Sequence, residues 1–154
     1  MLQSQKVSIL LLRLTLGWLF FWAGITKVLN PDFSAAGYLG SAKTFSGFYD
    51  WLASPAVLPF TNFINEWGLT LIGVSLLIGV AMRYSAPLGA LMMVLYYFPI
   101  LDGLRPNSHA FIVDEHLIYA AGLLVIAQYG SSSAWCLGGY LGRLPILSRF
   151  AKKL

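Results

Sequence analysis

The sequence predicts an all-α fold: an integral membrane four-helix bundle with an amphipathic, aromatic-rich outer connection between helices 1 and 2. Three observations carry this reading. Hydrophobic residues fill 58% of the 154 positions and charged residues 10%, against about 25% charged in an ordinary soluble domain. That is too few charges to cover a water-facing surface. Apolar stretches of helical length recur at about 7–29, 61–82, 85–101 and 116–130. The charges that remain are sorted by side. With four spans, the N-terminus, the Arg83 turn and the tail 131–154 share one side, which holds Lys6, Arg83, Arg143, Arg149, Lys152, Lys153 and no acid. The other side holds all six acids, with Lys43 and Arg105 in its loops. Residues 1–154 are read as one membrane domain of ordinary size.

The first helix, Val7–Leu29, is about 34 Å long at 1.5 Å per residue, enough to span a bilayer. Its apolar run exceeds the 7–15 residues of a signal-peptide core, and no A-x-A site leads into a polar chain, so the helix is expected to stay. Asn30-Pro31-Asp32 ends it. Arg13, Gly17, Phe20, Gly24 and Lys27 follow steps of four and three, so they share one face. Gly17 and Gly24 let a neighbouring helix come close. A cation in a membrane span is costly and turns inward or snorkels to headgroups; both roles fit Arg13 and Lys27.

Residues 32–61 form a connection rich in Gly, Ser, Pro and aromatics, suited to short helical segments in the interface. The second helix, Thr61–Met82, carries Glu66 near its start and is thinned by Gly68, Gly73 and Gly79. Arg83-Tyr84 reads as a tight turn. The third helix, Ser85–Leu101, places Pro87 in its first turn and Pro99 at its close. A polar loop, Asp102–Glu115, leads into the fourth helix, His116–Gly130. The tail is Gly/Ser-rich and then basic, with a short surface helix expected over Leu141–Phe150. Its sequence pI of 9.3 answers to anionic lipid; no nucleic-acid motif accompanies it. The positive-inside rule puts both termini in the cytoplasm of a multi-pass protein of the cell membrane.

Chemistry concentrates at the outer end. His109, Asp114, Glu115 and His116 hold both histidines of the chain and two of its six acids. Asp114 fits an N-cap and Glu115 the positive helix end. His116 stands where a helix enters the membrane and exchanges protons near neutral pH. Two histidines seven residues apart across a loop are a weak metal signal, so no metal is expected. Lys27 and Glu66 fall at one depth in antiparallel neighbours, where they either pair with each other or line a polar pocket. The single cysteine, Cys136, makes dithiol chemistry within the chain impossible. No haem, flavin or iron–sulfur signature is visible.

These residues resemble a family. R-L-T-L-G-W-L-F-F-W-A-G-I-T-K in the first helix is similar to the opening of DoxX/DoxD-type membrane proteins. Glu66-Trp67-Gly68 and Gly79 followed by Arg83 fit the same pattern. N-x-H-x-F-I-V-D-E-H-L-I-Y and the Gly-rich segment after Gly130 look closest to DoxD, the membrane subunit of thiosulfate:quinone oxidoreductase. The likeness spans about residues 9–142. Gly130–Gly138 departs from the Gly-x-Gly-x-x-Ser-Leu-Asp ending of many DoxX relatives.

The resemblance implies a four-helix membrane bundle that oxidises thiosulfate, or a similar sulfur anion, to tetrathionate and passes electrons to a membrane quinone. His116, Glu115 and Asp114 are then the catalytic candidates. Arg13, Lys27, Glu66, Arg105 and His109 are the substrate-binding candidates, cations and a helix N-terminus being what a small dianion wants. Tyr96, Tyr97 and Tyr119 suit the flanks of a quinone ring or an aromatic belt. The expected partners are the bilayer, the quinone, the sulfur anion, and a second subunit or further copies of the chain. The alternative is a non-catalytic membrane subunit that anchors a redox partner. Cysteines introduced at Ser41 and Ser108 are expected to label from outside, and a reporter at the C-terminus to read inside. Opposite sides for Ser41 and Ser108 would break the four-span reading.

Overall fold

The computed structural model describes residues 2–130; the tail, with Cys136 and the helix expected over Leu141–Phe150, lies outside them. Among the described residues the chain is all helical, without a strand. α1 runs Gln3–Val28. Two short helices follow, α2 Ala36–Gly40 and α3 Ser46–Leu52. α4, Leu58–Phe63, a π turn at Ile64–Gly68 and α5, Leu69–Ile78, form one continuous rod. α6 spans Met82–Ile100 and α7 Glu115–Tyr129.

The elements differ from expectation chiefly at their ends. The second rod starts at Leu58, because Pro59 suits a first helical turn rather than closing the preceding segment. It stops at Gly79, whose φ of 72° is the left-handed conformation that ends a helix. The turn is therefore Gly79–Ala81, and Arg83 and Tyr84, expected in it, belong to the first turn of α6. Pro87 consequently lies beyond that first turn, while Pro99 stands near the close of the helix, one residue before its end.

α1 packs chiefly on α5 and α6 on α7, with lighter contacts between the two pairs. The α1–α5 seam is made of glycine. A Cβ on Gly24 would collide with the backbone of Thr70, and one on Gly73 with the backbone of Phe21. A Cβ on Gly17 would stand 3.0 Å from Leu76 Cβ. The face predicted for α1 is buried as Arg13, Gly17, Phe20 and Gly24, joined by Leu16; Lys27 is half-buried. Phe20, Leu76, Leu123 and Ile126 fill the core, and Gly89 of α6 lies where Phe20, Ile72 and Leu123 converge.

The outward surface is also apolar. Leu11, Leu14, Trp18 and Trp22 on α1, Leu71 and Ile78 on α5, Leu88 and Leu91 on α6, and Ile118 and Leu124 on α7 are exposed. α1, with a mean hydropathy of 1.7, is the one described helix both long and apolar enough to cross a membrane.

Residues 33–58 strap across the C-terminal end of α6, and the reason is a missing donor. Pro99 has no N–H, so the carbonyl of Leu95, four residues before it, has no helical partner. The Tyr49 hydroxyl donates to that carbonyl at 2.8 Å. Thr44 Oγ1 donates to the Leu101 carbonyl at 2.7 Å, the Lys43 amide to Pro99 O at 3.3 Å, and Lys43 Nζ pairs with Asp102 at 2.5 Å. Phe45 packs edge-on against Phe98. Leaving a buried acceptor unmet costs about 1–3 kcal/mol. Tyr49→Phe is therefore expected to lower unfolding stability in detergent by that amount. In a Pro99→Ala background, where position 99 regains its N–H, the same change should cost clearly less. Equal losses in both backgrounds would show that the hydroxyl does not stand in for the missing donor.

Candidate functional site

The ends of α1 and α6 meet the starts of the α4–α5 rod and of α7 at one end of the molecule, and the polar side chains gather there. α7 begins where the sequence places its cap. Asp114 Oδ1 accepts from the backbone N–H of His116 at 3.1 Å and of Leu117 at 3.4 Å. Its second oxygen, Oδ2, lies 2.7 Å from His116 Nδ1. One carboxylate thus caps the helix and fixes the imidazole. A carboxylate only accepts, so Nδ1 carries the hydrogen and Nε2 is left for exchange. Asp114 is 5% exposed, while the His116 side chain keeps 21% of its surface open. Glu115, beside them, faces solvent.

Tyr96 supplies the next contact. Its ring meets that of His116 edge to face, centroids 6.2 Å apart and planes at 77°. Its hydroxyl donates to Oδ1 of Asn65. The Asn65 amide donates in turn to the Thr61 carbonyl at 3.0 Å. Asn65 sits in the π turn, which widens the helix by one residue. From the strap, the Tyr38 hydroxyl donates to the Tyr96 carbonyl at 2.5 Å, and the two rings pack edge to face. Tyr97, the next residue of α6, donates its hydroxyl to the carbonyl of Ile112. Ile112 is held at φ 61°, a strained conformation for a β-branched residue, and its N–H bonds Leu104 O at 2.8 Å.

The candidates from the sequence divide. His116 and Asp114 come together, with Glu115 adjacent. Tyr96 joins them by its ring contact with His116, and Tyr97 bonds the carbonyl of Ile112, two residues before Asp114; no contact of Tyr97 or Tyr119 with the dyad is seen among the described residues. The other five candidates do not form a cluster with one another. Lys27 stands near the end of α1, donating to Ala23 O at 3.1 Å with its ammonium 5.7 Å from the Phe33 ring centre. Carried one turn past Gly24 and Thr70, the glycine-seam register sets Lys27 level with Trp67, beside Glu66 in sequence. The expected depth is therefore right, but no Lys27–Glu66 ion pair forms among the described residues. The π turn shifts the helical phase of everything before Leu69, so Glu66 does not face where an unbroken helix would put it. Arg105 and His109 are exposed on the Asp102–Val113 loop. Arg13 is buried, 1% exposed, about 21 Å along α1 from Lys27.

Sequence reasoning missed Asn65 and Tyr38. Asn65 had a signal, an uncharged amide in an apolar helix needing a partner for its polar atoms. Tyr38 had none, one aromatic among many in the strap.

What the cluster can do is move a proton: a partly exposed imidazole, one nitrogen held by a buried carboxylate, the other without a hydrogen bond among the described residues. Tyr38 reports on its surroundings. Burial first, then the negative charge that Tyr49 and Asp114 carry when ionised, raises its hydroxyl above the usual value of 10.0. A raised acid keeps its proton in the folded state after the unfolded chain has lost it. Its contribution is complete below the free-tyrosine value and is lost as pH rises through the raised folded value. Stability in detergent is accordingly expected to fall above about pH 10, less steeply in Tyr38→Phe. Equal slopes in a pH series of melting temperatures would remove Tyr38 from the network.

The sequence matches the DoxX family over residues 8–100, more than half the chain, which covers α1 to α6. No curated protein and no solved structure matches it. The DoxX match ends before the Asp114–His116 dyad, which rests on its own geometry. With its glycine-seamed helices, its apolar outer surface and a match across most of its described residues, this chain belongs to the DoxX family of membrane-associated proteins.

Proposed function

We propose that the protein is a multi-pass membrane oxidoreductase subunit of the DoxD type, in which His116 delivers protons to a quinone undergoing reduction. The carrying observation is the dyad: Asp114 holds Nδ1 of a partly exposed His116 and leaves Nε2 for exchange. The four helical rods are taken as spans, the second of them the α4–α5 rod, with both termini cytoplasmic. Support comes from the exposed leucines, isoleucines and tryptophans, since large contiguous apolar surface is rare on soluble monomers. The dyad then lies at the outer face.

The balance is simple. Two thiosulfate ions give up one electron each and join through a new S–S bond as tetrathionate. The quinone takes both electrons and two protons and becomes the quinol. His116, as the imidazolium with a hydrogen on each ring nitrogen, donates the Nε2 proton to a quinone oxygen and is recharged at Nε2 from water through the exposed Glu115, while Asp114 keeps the Nδ1 hydrogen and stabilises the charged ring. Ile112, Val113 and Ile118 expose apolar surface beside the dyad in sequence, as a ring entering from lipid needs. Lys27, Arg105 and His109 are assigned to the sulfur anion at the same end. Glu66 lies level with Lys27, and Arg13 adds positive potential from deeper in α1.

Purified protein in detergent, given thiosulfate and a soluble quinone analogue, should form tetrathionate and quinol. Inactivity of well-folded protein, alone and with any co-purifying subunit, would turn the reading to a non-catalytic anchor. Loss of general acid–base catalysis costs about 10²–10⁴-fold in rate. That loss is expected for His116→Gln, with folding kept by the Asp114 cap. His109→Gln, in the exposed loop, should cost much less. A parental rate of quinone reduction in His116→Gln would make His116 a packing residue.

A further inference from the structure

The bond from Nδ1 to Asp114 and the covalent link through Cβ together set where the His116 ring sits. What remains is a swing of the ring in its two side-chain torsions, and that swing decides where Nε2 points. The neighbour that blocks it is Tyr96, whose ring stands across that of His116 at 6.2 Å. The partly buried Tyr96 ring packs against the core of the molecule, and a hydrogen bond at its hydroxyl fixes the angle that packing alone leaves loose. Asn65 holds it: Oδ1 receives the hydroxyl, and the amide nitrogen, bonded to Thr61 O, keeps the acceptor oxygen towards Tyr96. Tyr38 clamps the other end of the same residue at its carbonyl.

Asn65 owes its direction to the π turn. An α-helix turns about 100° per residue, and a π turn accommodates one residue more than an α turn. Without it, the side chains before Leu69 would be rotated by about that angle relative to α5, and Asn65 would leave Tyr96. Such turns recur at functional sites. Here the turn belongs to a rod whose other half, α5, is fixed by the glycine seam. Its rotation is thus set against a rigid reference.

We infer that Asn65 and Tyr96 are positioning residues: the hydroxyl–amide bond from the π turn locks the Tyr96 ring, and that ring fixes the orientation of His116 and the aim of Nε2. The inference rests on the proton-donor role proposed for His116, but its geometry can be tested without turnover. The chain has two histidines. His109→Gln therefore leaves a single ring-¹⁵N signature, that of His116, in protein held in detergent.

Against this background, Tyr96→Phe removes one oxygen and Asn65→Leu removes its acceptor. Each is expected to shift the His116 ring-nitrogen signals and tautomer balance in the same way, with no further shift in the double variant. Asn65→Asp, which keeps an acceptor oxygen, should stay close to the parent. In the quinone assay the two single variants should lower kcat by about 10- to 100-fold, the range that small misplacements cost, with KM for the quinone analogue little changed. His116 signals unchanged in Tyr96→Phe would overturn the inference. So would additive shifts in the double variant. Should Asn65→Leu fail to fold, Tyr96→Phe decides alone, since it leaves the ring in place. If His116→Gln keeps the parental rate while the signals move as expected, the donor role falls and the positioning stands.

Discussion

The close approach of α1 and α5 is the constraint on which the remainder depends. Where helices meet through glycine, attraction comes from close contact of their backbones at short range. Gly24 and Gly73 bring the two backbones together where any side chain would collide, so sliding or rotation by one position is forbidden. That fixed seam orients Leu69 to Ile78. It gives Phe20 and Leu76 a core to fill, and it sets the depth of everything carried on the start of the second rod. Thr70 adds to it by donating its hydroxyl to Glu66 O at 2.7 Å, tying α5 back into the π turn.

The second constraint is chemical. Pro99 deprives the end of α6 of a donor, and the strap supplies donors from Tyr49, Lys43 and Thr44. Once the strap is bound there, Tyr38 stands over Tyr96. The aromatic connection thus has a reason to be ordered beyond anchoring, and its order reaches the dyad through the Tyr38–Tyr96 hydrogen bond and the ring contact of Tyr96 with His116.

Much of this was legible in the sequence. The period of four and three in α1 announced its buried face, because glycine and a lone phenylalanine on one stripe leave little choice of interior. Asp114 announced itself as a cap by preceding an apolar run. The ends of the second and third helices were legible less well, since Gly79 serves equally as a thinning residue and as a terminator, and only its φ of 72° decides. The π turn was not legible at all. Ile64–Gly68 has no residue type that demands it, and its effect, a change of phase, is felt by Asn65 and Glu66 rather than shown by them. That is why Lys27 and Glu66 were matched in depth but not in direction, and why Asn65 went unnoticed beside its charged neighbour. Tyr97 was visible as an aromatic, but its hold on the strained Ile112 depends on a backbone angle no composition encodes.

The uneven packing divides the molecule into two hairpins. α1 with α5 and α6 with α7 are tightly joined, while the contacts between the pairs are lighter. The strap belongs by sequence to the first hairpin, which it bonds at Asn62 and Thr61, and it makes further bonds on the second. It is therefore a clasp between halves as well as a cover. Opening between the hairpins costs less than opening within either, in the manner of cooperative units of unequal stability. A chain severed in the Gly79–Ala81 turn would keep both helix pairs, and the two pieces would find each other again through the shared core of Phe20, Leu76, Leu123 and Ile126, aided by the hydroxyl and amide donors that reach the end of α6.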